Sequence, residues 1–192
     1  MQQPRRRNRV IIGVLALGLL AGVALTAHPA QAVDAVGPYY AEPAWDQQLP
    51  VATRFVVLTN WGSKAVLDKE TGLVWEKSPD ASVQLSWDTA RAHCANSTTT
   101  GNRKGWRLPS VHELGSLIDP SVFPGPTLPP GHPFLTGSPT IVYWSATTLA
   151  VNPVVAWVAN FNNGELAATG NKSFINYGRA WCVRGGMNAD QY

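Results

Sequence analysis

Side chains suited to nucleophilic or acid–base catalysis are few and scattered along the chain. Beyond the first 32 residues the histidines are His93, His112 and His132. No G-x-S-x-G nucleophile elbow occurs, and no Ser, His and Asp form a recognisable local pattern. His93 and His112 fall away from the apolar faces of two predicted helices, which is typical of solvated histidines. A hydrolase would therefore have to assemble its site from residues far apart in the sequence.

Oxygen-bearing side chains are concentrated at one predicted turn. Asn160, Asn162, Asn163 and Glu165 fall within six residues, and oxygen ligands are those that Ca²⁺ prefers. An Asn-Asn-Gly run is also typical of a β-hairpin turn, where Asn and Gly adopt the backbone geometry required. No C-x-x-C, H-E-x-x-H or EF-hand pattern occurs. We favour the turn and expect no metal or other cofactor, with Ca²⁺ at this turn as the alternative.

The chain has two cysteines, Cys94 and Cys182. Cys94 shares the apolar face of a predicted helix with Trp87 and Ala90, and Cys182 falls in a predicted final strand. An oxidising compartment favours pairing them. The bond would close an 89-residue loop and stabilise the fold by roughly 4.6 kcal/mol in the chain-entropy account. Two free, buried thiols are the alternative.

The first 32 residues have the pattern of an export signal. Four arginines precede the apolar run Val10–Ala27, which is followed by the small-residue cleavage motif Ala30-Gln31-Ala32. We expect cleavage after Ala32, which would leave no membrane segment. An uncleaved anchor is the alternative, because the apolar run has 18 residues. The product would be periplasmic, on the cell surface or secreted.

The net charge of +3 comes from that same segment. Residues 33–192 carry 11 basic and 12 acidic side chains, a net charge of −1. A nucleic-acid-binding domain needs a basic face to neutralise phosphates, so no nucleic-acid partner is expected. Between Pro120 and Gly178 only Glu165 and Lys172 are charged.

Local patterns predict two helices between two groups of strands, which is the α+β class. Ser86 caps the first helix, and Ser110 with Glu113 forms a capping box for the second, which should end at Asp119 before Pro120. The buried stripe of the second helix is predicted to be Val111, Leu114, Leu117 and Ile118. Strands are predicted at 55–59, 65–68, 73–77, 142–148, 154–161, 165–169 and 180–184. Ten Pro and Gly residues in 120–139 predict a long ordered loop.

The eight tryptophans all follow residue 32. Two of them, Trp45 and Trp61, fall in an irregular segment and a turn. The other six lie in or beside predicted elements with apolar neighbours, so core packing is expected for them: Trp75, Trp87, Trp106, Trp144, Trp157 and Trp181.

Several motifs occur in an order known from one family. The most specific are Thr71-Gly72-Leu73-Val74-Trp75, Trp106-Arg107-Leu108-Pro109 and Cys182-Val183-Arg184, and the helix around Cys94 and the run Tyr143–Thr147 accompany them. Over about residues 54–186 the chain resembles the C-terminal domain family of the collagen-like Lcl adhesins.

The resemblance implies a C-type-lectin-like fold of the variety shared with sulfatase-modifying factors. Such a fold has two helices, short antiparallel strands, a long Pro-rich loop and one disulfide, here between Cys94 and Cys182. It also implies a structural role for Arg107 and Arg184, paired with buried carboxylates or carbonyls. The E-P-N and Q-P-D tripeptides of calcium-dependent lectins are missing, so calcium-dependent sugar binding is not implied.

Four segments are predicted: a signal peptide at 1–32, an extended arm at 33–53, the Lcl C-terminal-like domain at 54–186 and a tail at 187–192. We expect an exported, non-catalytic ligand-binding module that acts in adhesion or in recognition of a glycan or protein at the cell envelope. The alternatives are an enzyme with a dispersed site and a structural subunit of an envelope assembly.

Ligand binding is predicted in the nearly uncharged half of the domain, because polar loops on a rigid scaffold suit neutral ligands. The Phe123–Phe134 loop would flank the site. The alternatives are that this loop only covers the core, and that the ligand binds the aromatic arm at Tyr39, Tyr40 and Trp45. The predicted site residues are Asn160, Asn162, Asn163, Asn171, Asn176 and Tyr177.

Overall fold

The computed structural model describes residues 49–79, 83–137 and 142–185. The predicted signal peptide, the arm up to residue 48 with its aromatic residues, and the tail at 187–192 lie outside the described residues. No helix within the described ranges is long and apolar enough to cross a membrane.

Two antiparallel sheets and two principal helices form the domain, which confirms the α+β class. The first sheet has five strands in the order β1-β2-β3-β8-β4, and the second has three in the order β5-β6-β7. Along the chain the elements are α1 (Val51–Arg54), β1 (Phe55–Val57), a 3-10 turn (Thr59–Trp61), β2 (Ala65–Asp68), β3 (Val74–Glu76), α2 (Trp87–Asn96), β4 (Trp106–Arg107), α3 (Val111–Gly115), β5 (Tyr143–Leu149), β6 (Asn152–Asn160), β7 (Glu165–Asn171) and β8 (Val183–Arg184).

Both predicted helix starts are correct. The Ser86 side chain accepts a hydrogen bond from Thr89 N at the start of α2, and Ser110 and Glu113 form the predicted capping box at the start of α3. Such side chains satisfy the backbone N–H groups that the first turn of a helix leaves unpaired. The local sequence therefore fixes where each helix begins.

The predicted end of the second helix was wrong, because α3 stops at Gly115 and not at Asp119. Arg54 Nη2 donates to the Ser116 carbonyl at 2.8 Å, and the next residues form tighter turns in which Leu117 N bonds to Leu114 O. A distant arginine thus pairs with a carbonyl that would have no helical partner in any case, because residue 120 is Pro and has no N–H. The predicted stripe is nevertheless buried, from Val111 to Ile118.

Other boundaries also differ from the prediction. The strand expected at 55–59 ends at Val57 because a 3-10 turn follows, and the end of the predicted extended arm is helical in α1. Trp106 and Arg107 form β4, which was not predicted, and the last strand contains only Val183 and Arg184. The described part of the long loop, 120–137, contains no helix or strand, as expected.

The core is built around Trp181, which is fully buried. Four aromatic rings lie with their centroids 5.1–5.6 Å from its own, those of Trp75, Phe134, Tyr143 and Phe161. Such separations are typical of favourable aromatic pairs. Five of the six tryptophans assigned to the core are buried, but Trp157 is only half-buried, because its neighbours Ala156 and Val158 take the buried face of β6.

The disulfide between Cys94 and Cys182 is present, which confirms the predicted pair. It joins the inner face of α2 to the residue before β8, and both cysteines are fully buried. A second group of buried side chains surrounds it, including Trp87, Trp106 and Trp144. The bond thus connects the helical part of the domain to the five-stranded sheet.

Candidate functional site

The structure separates the predicted site residues into two groups. Asn160 pairs with Glu165 at the closed end of the β6–β7 hairpin, whereas Val155 pairs with Asn171 at its open end. The six steps from Glu165 to Asn171 span about 20 Å in an extended strand. Asn160, Asn162 and Asn163 therefore lie at the closed end of the hairpin. Asn171 lies at the open end, and Asn176 and Tyr177 come shortly after it in the chain. One small ligand would not reach both groups.

The group at the closed end uses its amide oxygens to build the turn. Asn160 Oδ1 accepts from Asn162 N at 3.0 Å, and Asn163 Oδ1 accepts from Glu165 N at 3.1 Å. Asn163 Nδ2 also donates to Glu165 Oε2. These contacts are Asx turns, which satisfy the backbone of the hairpin. They favour the turn interpretation over a calcium site.

The Phe123–Phe134 loop lies against this closed end. Thr127 N and Oγ1 both donate to Phe161 O, at 2.6 and 3.0 Å, and a Cβ added to Gly164 would lie 3.7 Å from Thr127 Oγ1. Phe134 is buried in the core, while Phe123 is 71% exposed. The loop thus flanks the Asn160 group and not the Asn176 group.

The group at the open end lies on an exposed aromatic surface. Phe174 is 49% exposed and Ile175 is 78% exposed, and the Phe174 ring centroid lies 5.7 Å from that of Tyr177. Lys172 N donates to Val154 O at 2.9 Å, which brings the 58% exposed Val154 next to the same segment. We call Val154 together with residues 171–177 the 171–177 surface.

Asparagine side chains shape the backbone of this surface. Asn171 Oδ1 accepts from Ser173 N at 3.0 Å and from Ser173 Oγ at 2.7 Å. Asn176 is exposed and has a φ of 60°, a left-handed conformation that Asn tolerates better than most residues. The segment therefore has a defined shape that presents an amide beside two aromatic rings.

A rigid layer lies beneath the 171–177 surface. The Tyr177 ring centroid lies 5.2 Å from that of Trp144, which is fully buried, and Trp144 Nε1 donates to Leu85 O at 2.8 Å. A Cβ on Gly170 would lie 2.2 Å from a Trp144 ring atom, and one on Gly178 would lie 3.0 Å away. The two glycines thus let the backbone on either side of the surface close over this indole.

The exposed Phe174, Ile175 and Val154 were missed at the level of sequence. A signal was present, because Phe174 and Ile175 are large apolar residues just after a predicted strand and outside every predicted element. Singly exposed apolar residues are ordinary, but adjacent ones are typical of interaction sites.

An open cleft of about 550 Å³ lies beside α2. Its charged lining residues are Asp88, Arg91 and Arg107, and no histidine or cysteine of the described residues lines it. Arg107 Nη1 donates to Glu113 Oε2 at 2.7 Å, and Arg107 Nη2 donates to Gly185 O at 2.8 Å. Arg107 thus pairs with the buried carboxylate of Glu113, as the resemblance implied, whereas Arg184 Nε donates to Lys104 O at an exposed position.

Burial accounts for the shifted pKa values in the described residues. It raises the pKa of Glu76 and of Tyr143, and it lowers the pKa of His132. None of the three lines the cleft beside α2. The side chains of Glu76, His93 and Cys182 approach one another within 4.8 Å, but the Cys182 sulfur is bonded to Cys94 and is not a thiolate ligand.

The fold and its surfaces define a disulfide-linked α+β domain whose described residues include an exposed apolar loop, 171–177, beside a three-stranded sheet. The family model of the Lcl C-terminal domain matches residues 64–184, well over half of the chain, and the chain belongs to that family. Comparison with curated proteins finds no match.

Proposed function

We propose that this domain is a non-catalytic binding module that recognises a neutral glycan through the 171–177 surface. The observation that carries the proposal is the side-by-side exposure of Phe174, Ile175 and Asn176 next to Tyr177. Aromatic rings stack on the apolar faces of sugars, and an amide supplies hydrogen bonds to hydroxyl groups. The buried Trp144 layer holds these groups in place before a ligand arrives, which lowers the entropic cost of binding.

Charge supports a neutral ligand. Lys172 is the only charged residue of the 171–177 surface, and its Nζ donates to Pro153 O and lies 4.1 Å from the Trp87 ring centroid. The ammonium group is thus already engaged with the protein. A ligand bound by stacking and amide contacts should keep its affinity as salt rises, whereas an anionic ligand would lose affinity.

The experiment is a screen of immobilised neutral glycans and matrix proteins with the disulfide-intact protein, followed by measurement of Kd for any binder found. Phe174→Ala should raise Kd about tenfold, the effect of losing roughly 1.4 kcal/mol. Phe123→Ala is the matched control, because it removes an even more exposed phenylalanine at the other end of the hairpin. An equal loss in both variants, or a loss confined to Phe123→Ala, would contradict the proposed surface.

We further propose that the fold is of the C-type-lectin-like variety. Three features support this: the bond from a helix cysteine to the residue before the last strand, the shared sheet of β1 and β8, and the long loop ahead of the second sheet. In such folds the long loop and late strands form the usual ligand face. The 171–177 surface follows the late strand β7, whereas the long loop lies at the other end of the β6–β7 hairpin. Superposition of an experimental structure on a lectin domain tests the assignment.

Action outside the cytoplasm, at the cell envelope or after secretion, is part of the same proposal. The pattern of residues 1–32 supports export, and the buried Cys94–Cys182 bond suits an oxidising compartment. A role in adhesion would follow if the glycan is carried on a surface to which the cell attaches.

A further inference from the structure

A second polar pocket, of about 350 Å³, lies away from the 171–177 surface. It is formed by the start of β2, the end of β3 and the segment that follows α2. Its lining contains two lysines and four hydroxyl groups and no carboxylate among the described residues: Ser63, Lys64, Lys77, Ser78, Thr99 and Thr100.

The two lysines face each other across a pair of strands. Ala65 pairs with Glu76 at the end of the β2–β3 ladder. Lys64 and Lys77 are the next residues along the two chains, and Lys77 N donates to Lys64 O at 2.9 Å. Residues directly opposite in an antiparallel pair extend their side chains to the same side of the sheet, and like charges there are destabilising. The backbone pairing therefore places two lysines, Lys64 and Lys77, at neighbouring positions that both line the pocket.

The far wall of the pocket is held rigidly. Gly101, next to Thr100, has a φ of 64°, and a Cβ there would lie 2.8 Å from Trp61 Cβ. Thr100 is buried, and its Oγ1 donates to Glu76 Oε1 at 2.7 Å. Glu76 Oε2 accepts from Cys182 N, so both oxygens of this carboxyl group are engaged behind the wall. Glu76 does not line the pocket itself.

We propose that the pocket binds the phosphoryl group of inorganic phosphate or of a phosphate monoester. Two ammonium groups match the charge of a phosphate near neutral pH, which is between −1.5 and −2, and the hydroxyl groups of Ser63, Ser78 and Thr99 supply further donors to its oxygens. A bound phosphate would lie between Lys64 and Lys77 and replace their repulsion with attraction. A sulfate ester carries a single negative charge and matches the pair less well. The site is separate from the surface proposed for glycans.

The test is a phosphate titration of the full, disulfide-intact protein at constant ionic strength, with Tm as the readout. Ligand binding to the native state alone raises Tm, by about 3 °C at a tenfold excess over Kd and further with the logarithm of the ligand concentration. The double variant Lys64→Gln/Lys77→Gln should lose this rise. The matched control is Lys69→Gln/Lys104→Gln, which removes two exposed lysines outside the pocket and should keep it.

A second readout uses no ligand. In phosphate-free buffer of low salt, the pocket double variant should have a higher Tm than the native protein, because the repulsion between the two lysines is gone. Absence of a phosphate-dependent rise in the native protein would overturn the proposal. The same rise in the pocket variant would also overturn it, since the ion would then bind elsewhere.

Two further arms identify the source of the phosphoryl group. Glucose 6-phosphate should raise Tm more than inorganic phosphate if the natural ligand is a monoester, and equally or less if it is the free ion. Glucose 6-sulfate should raise Tm less than either of them. A larger rise with the sulfate ester would overturn the argument from charge.

Discussion

Arg54 and Asp68 form a bidentate ion pair that is almost completely buried. Arg54 Nε lies 2.9 Å from Asp68 Oδ1, Arg54 Nη2 lies 2.8 Å from Asp68 Oδ2, and the side chains are 3% and 0% exposed. Arg54 Nη2 also donates to Ser116 O, and Arg54 Nε lies 3.5 Å from Glu70 Oε2. The pair thus links α1 and β2 to the end of α3.

Asp68→Ala should lower the free energy of unfolding by about 3–5 kcal/mol, because it leaves a buried guanidinium without its closest partner. Urea unfolding measures the change. Lys69→Ala alters the neighbouring exposed residue and should stay within about 0.5 kcal/mol of the native protein. A loss no larger than that of the control would contradict the importance of the pair.

Replacing both cysteines, as Cys94→Ala/Cys182→Ala, should lower the free energy of unfolding by about 2–5 kcal/mol. The reason is that the bond joins residues 88 positions apart in the sequence and restricts the unfolded chain. Peptide mapping without reduction should recover the two cysteines in one linked product. Two thiols open to alkylation in the native protein would contradict the bond.

Glu76 should make stability depend on pH in the direction opposite to that of most carboxylates. Because burial raises the pKa of Glu76 in the folded state, its contribution to stability is complete below the unfolded value of about 4.5 and is lost as pH rises through the folded value. Glu76→Gln, which keeps the size of the side chain, removes this loss.

The measurement for Glu76 is the free energy of unfolding of both proteins at pH 4 and pH 7. All other titratable groups are the same in both proteins, so the difference between the two proteins isolates Glu76. Relative to the native protein, Glu76→Gln should be more stable at pH 7 than at pH 4. A difference that is constant with pH would contradict the prediction.

Gly170→Ala should destabilise the domain by about 1–3 kcal/mol or more, because its Cβ would overlap the Trp144 ring within a packed core. Thermal unfolding gives the magnitude. Gly115→Ala is the control, since its Cβ would meet only the end of the flexible Leu166 side chain at 3.0 Å. Equal effects of the two substitutions would show that the Trp144 ring moves to accommodate the added Cβ, which would contradict the prediction.

Expression in a bacterial host with an intact export system should give a product whose first residue is Val33. Cleavage after Ala32 would follow from the Ala30-Gln31-Ala32 motif. N-terminal sequencing of the extracted protein is the measurement. A product that keeps Met1 and remains with the membrane would support the anchor instead.

Signals within a few residues predicted their elements well. Ser86, Ser110 and Glu113 fixed the starts of two helices, since capping is a contact between near neighbours in sequence. The end of α3 could not be predicted in the same way, because Arg54, which bonds to Ser116, is 62 residues away. The periodicity of that segment showed what is buried but not where the helix stops.

The candidate site was only partly predictable for a related reason. Amino-acid composition identified a half of the domain that is rich in amides, but composition says nothing about the distances between residues. Asn162 and Asn176 were therefore assigned to one site. The hairpin register puts them near opposite ends of β7. The exposure of Phe174 and the half-exposure of Trp157 likewise depend on which face of the sheet is covered.

The position of β8 has a consequence for the order in which the chain can fold. This strand lies between β3 and β4, so among the described strands β4 has no other neighbour in its sheet. Almost the whole domain must be synthesised before its larger sheet can close and before Cys94 meets its partner. Under the proposed export, the earlier strands would emerge incomplete, which would lengthen the time during which chaperones and proteases outside the cytoplasm could act on the chain.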